Sequence, residues 1–195
     1  MKTLNKYIQE KLVINKDYKS PYTCAPKSFD ELRKIINDRY DKLGPGTKQK
    51  PIDFNDVDVS NVDSFYDNRT YNGLFERTDF EYINLSYWDV SKVENMSGMF
   101  SYCYFLKSVG DLSNWDVSNV KDMYHMFYGC DQLKSVGDLS NWNVSNVKNI
   151  SYMFTYCKQL KSVGDLSKWN VSNVNYMIAM FKKSGITNIP KWYKK

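Results

Sequence analysis

Residues 115–133 read WDVSNVKDMYHMFYGCDQL, and residues 142–160 repeat that stretch as WNVSNVKNISYMFTYCKQL. The same order of residue types continues on both sides, so that a tryptophan and a phenylalanine return every 27 residues. Internal periodicity of this kind is the signature of a repeat architecture, in which each unit buries its apolar side against its neighbours. The sequence therefore predicts a solenoid of stacked units. The recurring positions are Trp88, Trp115, Trp142 and Trp169, and Phe100, Phe127, Phe154 and Phe181.

The apolar residues inside one unit predict its local structure. In the central copy, Met123, Met126, Phe127 and Cys130 follow the i, i+3, i+4, i+7 spacing of a buried helical stripe, which predicts a short helix over residues 123–130. Apolar residues about three apart suit short extended segments, at residues 117–120 and 133–136. The fold class is therefore α/β, with short parallel strand segments and a short helix in each 27-residue unit.

The repeat pattern also divides the chain into parts. We expect a solenoid over residues 51–195, with a divergent first repeat at 51–83 and regular repeats at 84–183. The first repeat carries about six extra residues around Tyr66 to Tyr71. Residues 184–195, where the pattern breaks down, form a C-terminal cap.

The first fifty residues differ in kind and predict an N-terminal helical cap over residues 1–50. Ser28 and Glu31 have capping-box spacing, and apolar residues at helical intervals follow, so we expect a helix from about Phe29 to Leu43. A shorter helix is expected near Leu4 to Leu12. Such a cap would cover the open apolar end of the first repeat, since an uncovered end invites aggregation.

Charge is distributed unevenly along the chain. Residues 1–50 hold 12 Lys and Arg against 6 Asp and Glu, whereas residues 51–195 hold 15 against 16. A basic N-terminal region could contact nucleic acid, but dispersed charges of this kind are more typical of a solvated surface. The sequence has no apolar run long enough for a membrane span, and its start lacks the apolar stretch of a secretory signal. We therefore expect a cytoplasmic or virion-associated protein rather than a secreted one.

Side chains that could support catalysis do not form a recognisable set. The one histidine, His125, occupies a repeat position held elsewhere by Gly98, Tyr152 and Ala179, and neighbouring units supply no partner for it. We expect His125 to lie exposed on the repeat helix. The sequence therefore favours a protein that is not an enzyme and that has no catalytic residue and no cofactor.

Two groups of residues contain side chains that can bind metal ions. Cys103, Cys130 and Cys157 recur every 27 residues, unlike zinc ligands, which come in close pairs, so we expect buried free thiols. The other place is an acidic group in the first repeat that lacks the glycine and glutamate of a calcium-binding EF-hand loop. No metal is predicted at either place. The acidic group consists of Asp56, Asp58, Asp63 and Asp67.

The motif Trp-Asp/Asn-Val-Ser-Asn-Val-x-x-Met-x-x-Met-Phe-x-x-Cys-x-x-Leu, whole at residues 115–133, resembles the repeat of BspA-like leucine-rich-repeat proteins. More narrowly, it is similar to the variant found in mycoplasmal lipoproteins and in gut-bacterial and phage-encoded proteins, a domain of unknown function. The resemblance implies a leucine-rich-repeat-like solenoid, often displayed on a cell surface, with adhesion or protein binding as its use. Residues 4–10 are similar to the starts of many proteins of large tailed phages, which implies a phage or prophage origin.

The variable positions of the repeat predict where a partner binds. Positions between the buried residues of the predicted helix should face outward, and in this chain they collect tyrosine. Tyrosine is enriched in recognition surfaces because it offers a large contact area at low entropic cost. We expect a protein partner, with a glycan as the alternative. The predicted partner-binding residues are Tyr102, Tyr124, Tyr128, Tyr152 and Tyr156.

The function predicted from the sequence is accordingly that of a non-enzymatic binding scaffold that mediates protein–protein or protein–glycan interaction. Two alternatives stay open. One is a nucleic-acid-associated protein that uses the basic N-terminal helices, and such binding would weaken steeply with salt. The other is a structural component of a phage or cell-surface assembly.

Overall fold

The computed structural model describes residues 22–194. The short helix predicted near Leu4 to Leu12 lies outside the described residues. The longer predicted helix is confirmed as α1, Phe29–Leu43. The Ser28 side chain accepts from the Glu31 amide at its start, and Gly44, with φ of 72°, ends it through a hydrogen bond from its amide to Tyr40 O. Among the described residues, no helix is long and apolar enough to cross a membrane.

Four short strands lie in and beside the first repeat. β1 (Ile52–Asp53) pairs in parallel with β4 (Ile83–Asn84), which begins the next repeat. β2 (Tyr66–Asp67) pairs antiparallel with β3 (Asn72–Gly73). This hairpin is formed by the extra residues that the sequence places around Tyr66 to Tyr71, and it widens the first repeat without disturbing the stack.

Beyond β4 the repeats are joined by isolated parallel bridges that follow the sequence period. Asn95, Asp122 and Asn149 pair one after another, and the series continues to Tyr176. A second series joins Tyr82, Ser108 and Ser135. The predicted strand at residues 133–136 therefore contains a bridge, whereas the bridge near the segment predicted at 117–120 lies two residues further on, at Asp122. The repeats stack in register, each one directly on the next.

The helix predicted in each repeat is wrong. Residues 96–103, 123–130, 150–157 and 177–184, here called the turn segments, form consecutive turns instead. Amides within a turn segment alternate between two kinds of acceptor. Met99 N donates to Met96 O in its own segment, whereas Phe100 N donates to Met126 O of the next repeat. A helix would use all of these amides within the segment and would leave none to join the repeats.

The core consists of columns of identical side chains. Trp115, Trp142 and Trp169 are 3–4% exposed, and neighbouring rings stack with centroids 6.4 Å apart. Each indole N–H donates to a leucine carbonyl of the preceding repeat, as Trp142 Nε1 does to Leu112 O at 2.9 Å. The phenylalanine column stacks in the same way, with Phe100 and Phe127 centroids 5.1 Å apart. The predicted burial of the tryptophans is confirmed.

Polar side chains shape the corners of each repeat. In the central copy, the carboxylates of Asp111, Asp116 and Asp122 each accept from the amide two residues further on, at 2.8 to 3.0 Å. Aspartate and asparagine favour such turns because their short side chains replace a backbone acceptor. The central repeat therefore contains three turn-forming residues in addition to the apolar residues of its core.

The two ends of the stack differ in their contacts. At the N-terminal end, α1 packs on the first repeat through Leu32 and Ile36, and the Arg33 guanidinium donates to Gly73 O and Leu74 O. At the C-terminal end a 3-10 helix, Leu166–Lys168, leads into the last repeat. Trp192 then stacks on Trp169, with centroids 6.3 Å apart.

Candidate functional site

The turn segments set the direction of every side chain in the candidate site. Two positions in each segment adopt a left-handed backbone, and in the central copy these are His125, with φ of 57°, and Gly129, with φ of 73°. The equivalent residues of the next copy, Tyr152 and Tyr156, have φ of 58° and 63°. A left-handed residue reverses the local direction of the chain, so the side chains around it point outward while the intervening methionine and phenylalanine point into the core. The outward direction of the tyrosines therefore arises from turns and not from a helix.

The structure brings all five predicted tyrosines together in one continuous cluster, here called the tyrosine surface. Tyr128 lies at its centre, with its ring edge-to-face against Tyr102 at 5.1 Å, Tyr156 at 5.7 Å and Tyr152 at 6.4 Å. Tyr124 meets Tyr152 at 6.1 Å. Rings in such contacts hold one another in position, so the cluster presents a largely preformed aromatic face.

The prediction that His125 lies exposed on a helix is wrong, because the residue lies in a turn and its ring is half-buried among these tyrosines. Its ring stacks on Tyr124 at 3.9 Å and also contacts Tyr128 at 4.4 Å and Tyr152 at 5.1 Å. Burial lowers the pKa of His125 to about 4, so the ring is neutral at pH 7. Sequence reasoning missed this member of the cluster, although His125 and Tyr152 occupy the same repeat position and in-register stacking places their rings side by side.

Cations border the tyrosine surface at both ends of the stack direction. The Arg77 guanidinium lies 5.3 Å from the centre of the Tyr102 ring, and the Lys183 ammonium lies 5.2 Å from that of Tyr156. Cations over aromatic faces are attracted by the ring quadrupole. Burial raises the pKa of both Tyr124 and Tyr128, so their hydroxyls stay protonated at neutral pH and can donate hydrogen bonds.

Not every position between the core residues of the turn segments faces outward, contrary to the prediction from the sequence. Some small polar residues in the same variable positions are buried rather than outward-facing, because they hydrogen bond the backbone of the next repeat. Ser151 Oγ accepts from Ile178 N at 3.1 Å, and the Thr155 hydroxyl donates to Ala179 O at 2.5 Å. Only the larger members of these columns reach the surface. The buried ones are Ser97, Ser101, Ser151 and Thr155.

The cysteine column is structural. Cys103, Cys130 and Cys157 are buried, and each thiol donates to a phenylalanine carbonyl of the preceding repeat at 2.9 to 3.0 Å. Burial raises the pKa of Cys103 to about 11 and also raises the pKa of Cys130 and Cys157. Since the thiolate is the reactive form, these thiols are poor nucleophiles at neutral pH. Their burial, as predicted, is confirmed.

The acidic residues of the first repeat have other partners. Asp56 accepts a two-pronged ion pair from Arg39 at 2.6 and 2.8 Å. Asp67 is held by Arg69 and Thr70, whose hydrogen bonds lower its pKa to about 2. Among residues 22–194, no three His, Cys, Asp or Glu side chains are grouped so that they could hold a metal ion.

Comparison with known proteins gives one family and one distant structure. No curated protein matches the chain. The crystal structure of a leucine-rich repeat protein from Eubacterium ventriosum ATCC 27560 at 2.50 Å resolution is similar over 70% of this chain, with 16% identity and a TM-score of 0.36. The aligned part is 44% of that protein, so the chain spans less than half of its length.

The family comparison covers the stack itself. The family described as "Mycoplasma protein of unknown function, DUF285" matches residues 68–192, which run from the first repeat to Trp192. This match confirms the resemblance that the repeat motif indicated. Because it covers more than half of the sequence, the chain belongs to the family of mycoplasma proteins of unknown function, DUF285.

Proposed function

We propose that the chain is a non-enzymatic scaffold that binds a protein partner on its tyrosine surface, Tyr102, Tyr124, Tyr128, Tyr152 and Tyr156. The observation that carries the proposal is the continuity of the cluster, in which Tyr128 contacts tyrosine rings of the repeats on both sides of its own. Clustered tyrosines give a large contact area with little loss of side-chain entropy, as in recognition loops of antibodies.

The architecture supports this proposal. The repeat motif, the family and the in-register stack favour a leucine-rich-repeat-like solenoid, and extended repeat stacks serve as binding platforms in many proteins. A rigid stack fixes the distance between rings of neighbouring repeats. A preformed surface loses little conformational entropy when a partner binds.

Contacts of the N-terminal arginines favour a protein partner over nucleic acid. Arg33 and Arg39 of α1 are directed at the first repeat, where they hydrogen bond backbone carbonyls and Asp56. Phosphate binding depends on basic side chains that are free to replace counterions. Binding of a protein on the tyrosine surface does not depend on basic side chains that replace counterions.

The test compares capture by two matched variants. Tyr124→Ser, Tyr128→Ser and Tyr156→Ser together remove three central rings, and the protein captured from a lysate of the source cell by the unaltered chain is then purified for calorimetry. We expect the dissociation constant for that protein to rise at least tenfold. The control changes three exposed lysines on other faces, Lys134→Ser, Lys148→Ser and Lys161→Ser, and should alter it less than twofold.

Circular dichroism of all variants checks that the stack is intact. A lysine variant that loses binding while the tyrosine variant keeps it would place the binding site on another face. Enzymatic removal of glycans from the captured protein separates the alternatives, because a glycan ligand would then be lost while a protein ligand would still bind.

A further inference from the structure

Backbone hydrogen bonds between turn segments all run in one direction along the stack, so the two ends of the stack expose different backbone groups. In each segment the amides at alternate positions donate to carbonyls of the following repeat. Tyr152 N donates to Ile178 O at 2.8 Å, and Tyr156 N donates to Lys182 O at 3.0 Å. Within residues 22–194, the first segment of the stack therefore has carbonyls that no preceding turn segment serves, and the last has amides that no following turn segment accepts.

At the N-terminal end these carbonyls are satisfied by α1. Leu74 O and Glu76 O correspond to Met99 O and Ser101 O of the next repeat, and both accept from Arg33. The guanidinium thus takes the place of the amides of a missing repeat. The backbone hydrogen bonds between turn segments form a ladder along the stack, and the carbonyls at its N-terminal end accept from a side chain of the same protein.

At the C-terminal end the corresponding amides are open. They belong to alternate residues of the last turn segment, 177–184, and within residues 22–194 none of them has a hydrogen-bond acceptor. Unsatisfied backbone groups at the edge of a ladder are a template for another chain. The four amides are those of Met177, Ala179, Phe181 and Lys183.

A cleft lies beside this edge. Its volume is about 570 Å³, and Phe181, Ile186 and Ile189 line it together with Lys182, Lys183 and Tyr193. The charged residues that line it, Lys182 and Lys183, are both positive, and residues 166–195 contain six lysines and neither aspartate nor glutamate. The edge thus combines hydrogen-bond donors, an apolar floor and positive charge.

We propose that this edge binds an acidic peptide in extended conformation, at a site that adjoins the tyrosine surface at Lys183 but uses none of its rings. An extended chain presents a carbonyl on one side at every second residue, which matches the alternate spacing of the four amides. Acidic side chains of the peptide would face Lys182 and Lys183, and apolar ones would enter the cleft. A second copy of this chain fits poorly, since its matching edge offers donors as well and its carbonyl end is closed by Arg33.

The proposal is tested with the full chain and a defined probe, a ten-residue peptide of alternating glutamate and valine with blocked ends. Nuclear magnetic resonance follows amide hydrogen exchange in the ¹⁵N-labelled protein. At saturating peptide we expect exchange at Met177, Ala179, Phe181 and Lys183 to slow at least tenfold. Amides of the inner turn segments, which already have acceptors, should change little.

Charge reversal supplies the matched control. Lys182→Glu with Lys183→Glu should weaken the affinity for the peptide at least tenfold, whereas Lys134→Glu with Lys148→Glu, which changes net charge equally on other faces, should leave it within threefold. Tyr124→Ser with Tyr128→Ser should also leave it unchanged, so that failure here and failure of the tyrosine surface are distinguishable. Equal affinity of both charge variants, unchanged exchange at the four amides, or tight binding of a lysine–valine peptide would overturn the proposal.

Discussion

Trp142 illustrates how single residues hold neighbouring repeats together. Its ring stacks between Trp115 and Trp169 at 6.4 Å on each side, and its indole N–H donates to Leu112 O of the preceding repeat. The residue therefore contributes both apolar burial and a satisfied polar group. Loss of the ring would leave a cavity between two rigid neighbours and would remove one of the two hydrogen bonds that Leu112 O accepts, the other coming from Trp115 N.

Trp142→Ala should consequently lower the free energy of unfolding by about 3–5 kcal/mol, the range for large aromatic residues in a core. Urea unfolding followed by circular dichroism measures the change. Trp192→Ala at the half-buried end of the column is the matched comparison and should cost less, because Trp192 is more exposed and stacks on Trp169, whereas Trp142 stacks on a tryptophan on each side. If the two losses were equal, stacking between repeats would not be the source of the stability.

Arg33 permits a second prediction at the level of one side chain. Arg33→Met keeps the apolar stem but removes the donors to Gly73 O and Leu74 O, so we expect a loss of about 1.5–3 kcal/mol, typical of hydrogen bonds to a charged group. Lys34→Met, at the exposed neighbouring position, should change stability by less than about 0.5 kcal/mol. Chemical denaturation measures the free energy of unfolding of both variants. Similar values for the two would show that the hydrogen bonds from Arg33 to the first repeat do not stabilise the fold.

The element whose backbone hydrogen bonds are local, α1, was predicted correctly from the sequence, whereas the turn segments, which also bond to neighbouring repeats, were not. The bounds of α1 were predictable because Ser28, Glu31 and Gly44 satisfy its ends locally. The turn segments were mistaken for helices because Met123, Met126, Phe127 and Cys130 have helical spacing, although every second amide there bonds to another repeat. The glycines at two of the left-handed positions, Gly98 and Gly129, are the feature of the sequence that indicates turns rather than a helix.

The contact between α1 and the first repeat should depend on pH. Burial alone would raise the pKa of Asp56, but hydrogen bonds from Arg39 and Thr23 and the charge of Arg39 lower it below the ordinary 3.8. A carboxylate whose pKa is lower in the folded protein stabilises the fold at neutral pH, and this contribution is lost as the pH falls below about 4.

Asp56→Asn should therefore be less stable than the unaltered protein at pH 7, and the difference should shrink as the pH is lowered toward 3. Urea midpoints measured at intervals across this range provide the test. A difference that stays constant with pH would mean that the ion pair with Arg39 contributes nothing through its charge.

In the molecule as a whole, in-register stacking turns sequence columns into surfaces. This is why the grouping of Tyr102, Tyr128 and Tyr156 could be predicted, since residues one period apart must lie on neighbouring repeats. The period places His125 in the repeat position of Tyr152 and Arg77 in that of Tyr102, but it does not predict the contacts of a histidine and an arginine there, since neither residue type recurs in its position. Nor does the period alone indicate which end of the ladder is closed, because that depends on a contact from α1.

The central claim, that the partner packs on the tyrosine surface, is tested most directly by photocrosslinking in the source cell. A photoreactive p-benzoylphenylalanine replaces Tyr128 in one variant and Lys134, an exposed residue of the same repeat, in another. If the partner packs on the tyrosine surface, position 128 should give a covalent product with one discrete protein and position 134 should give none. A product from position 134 alone would contradict it.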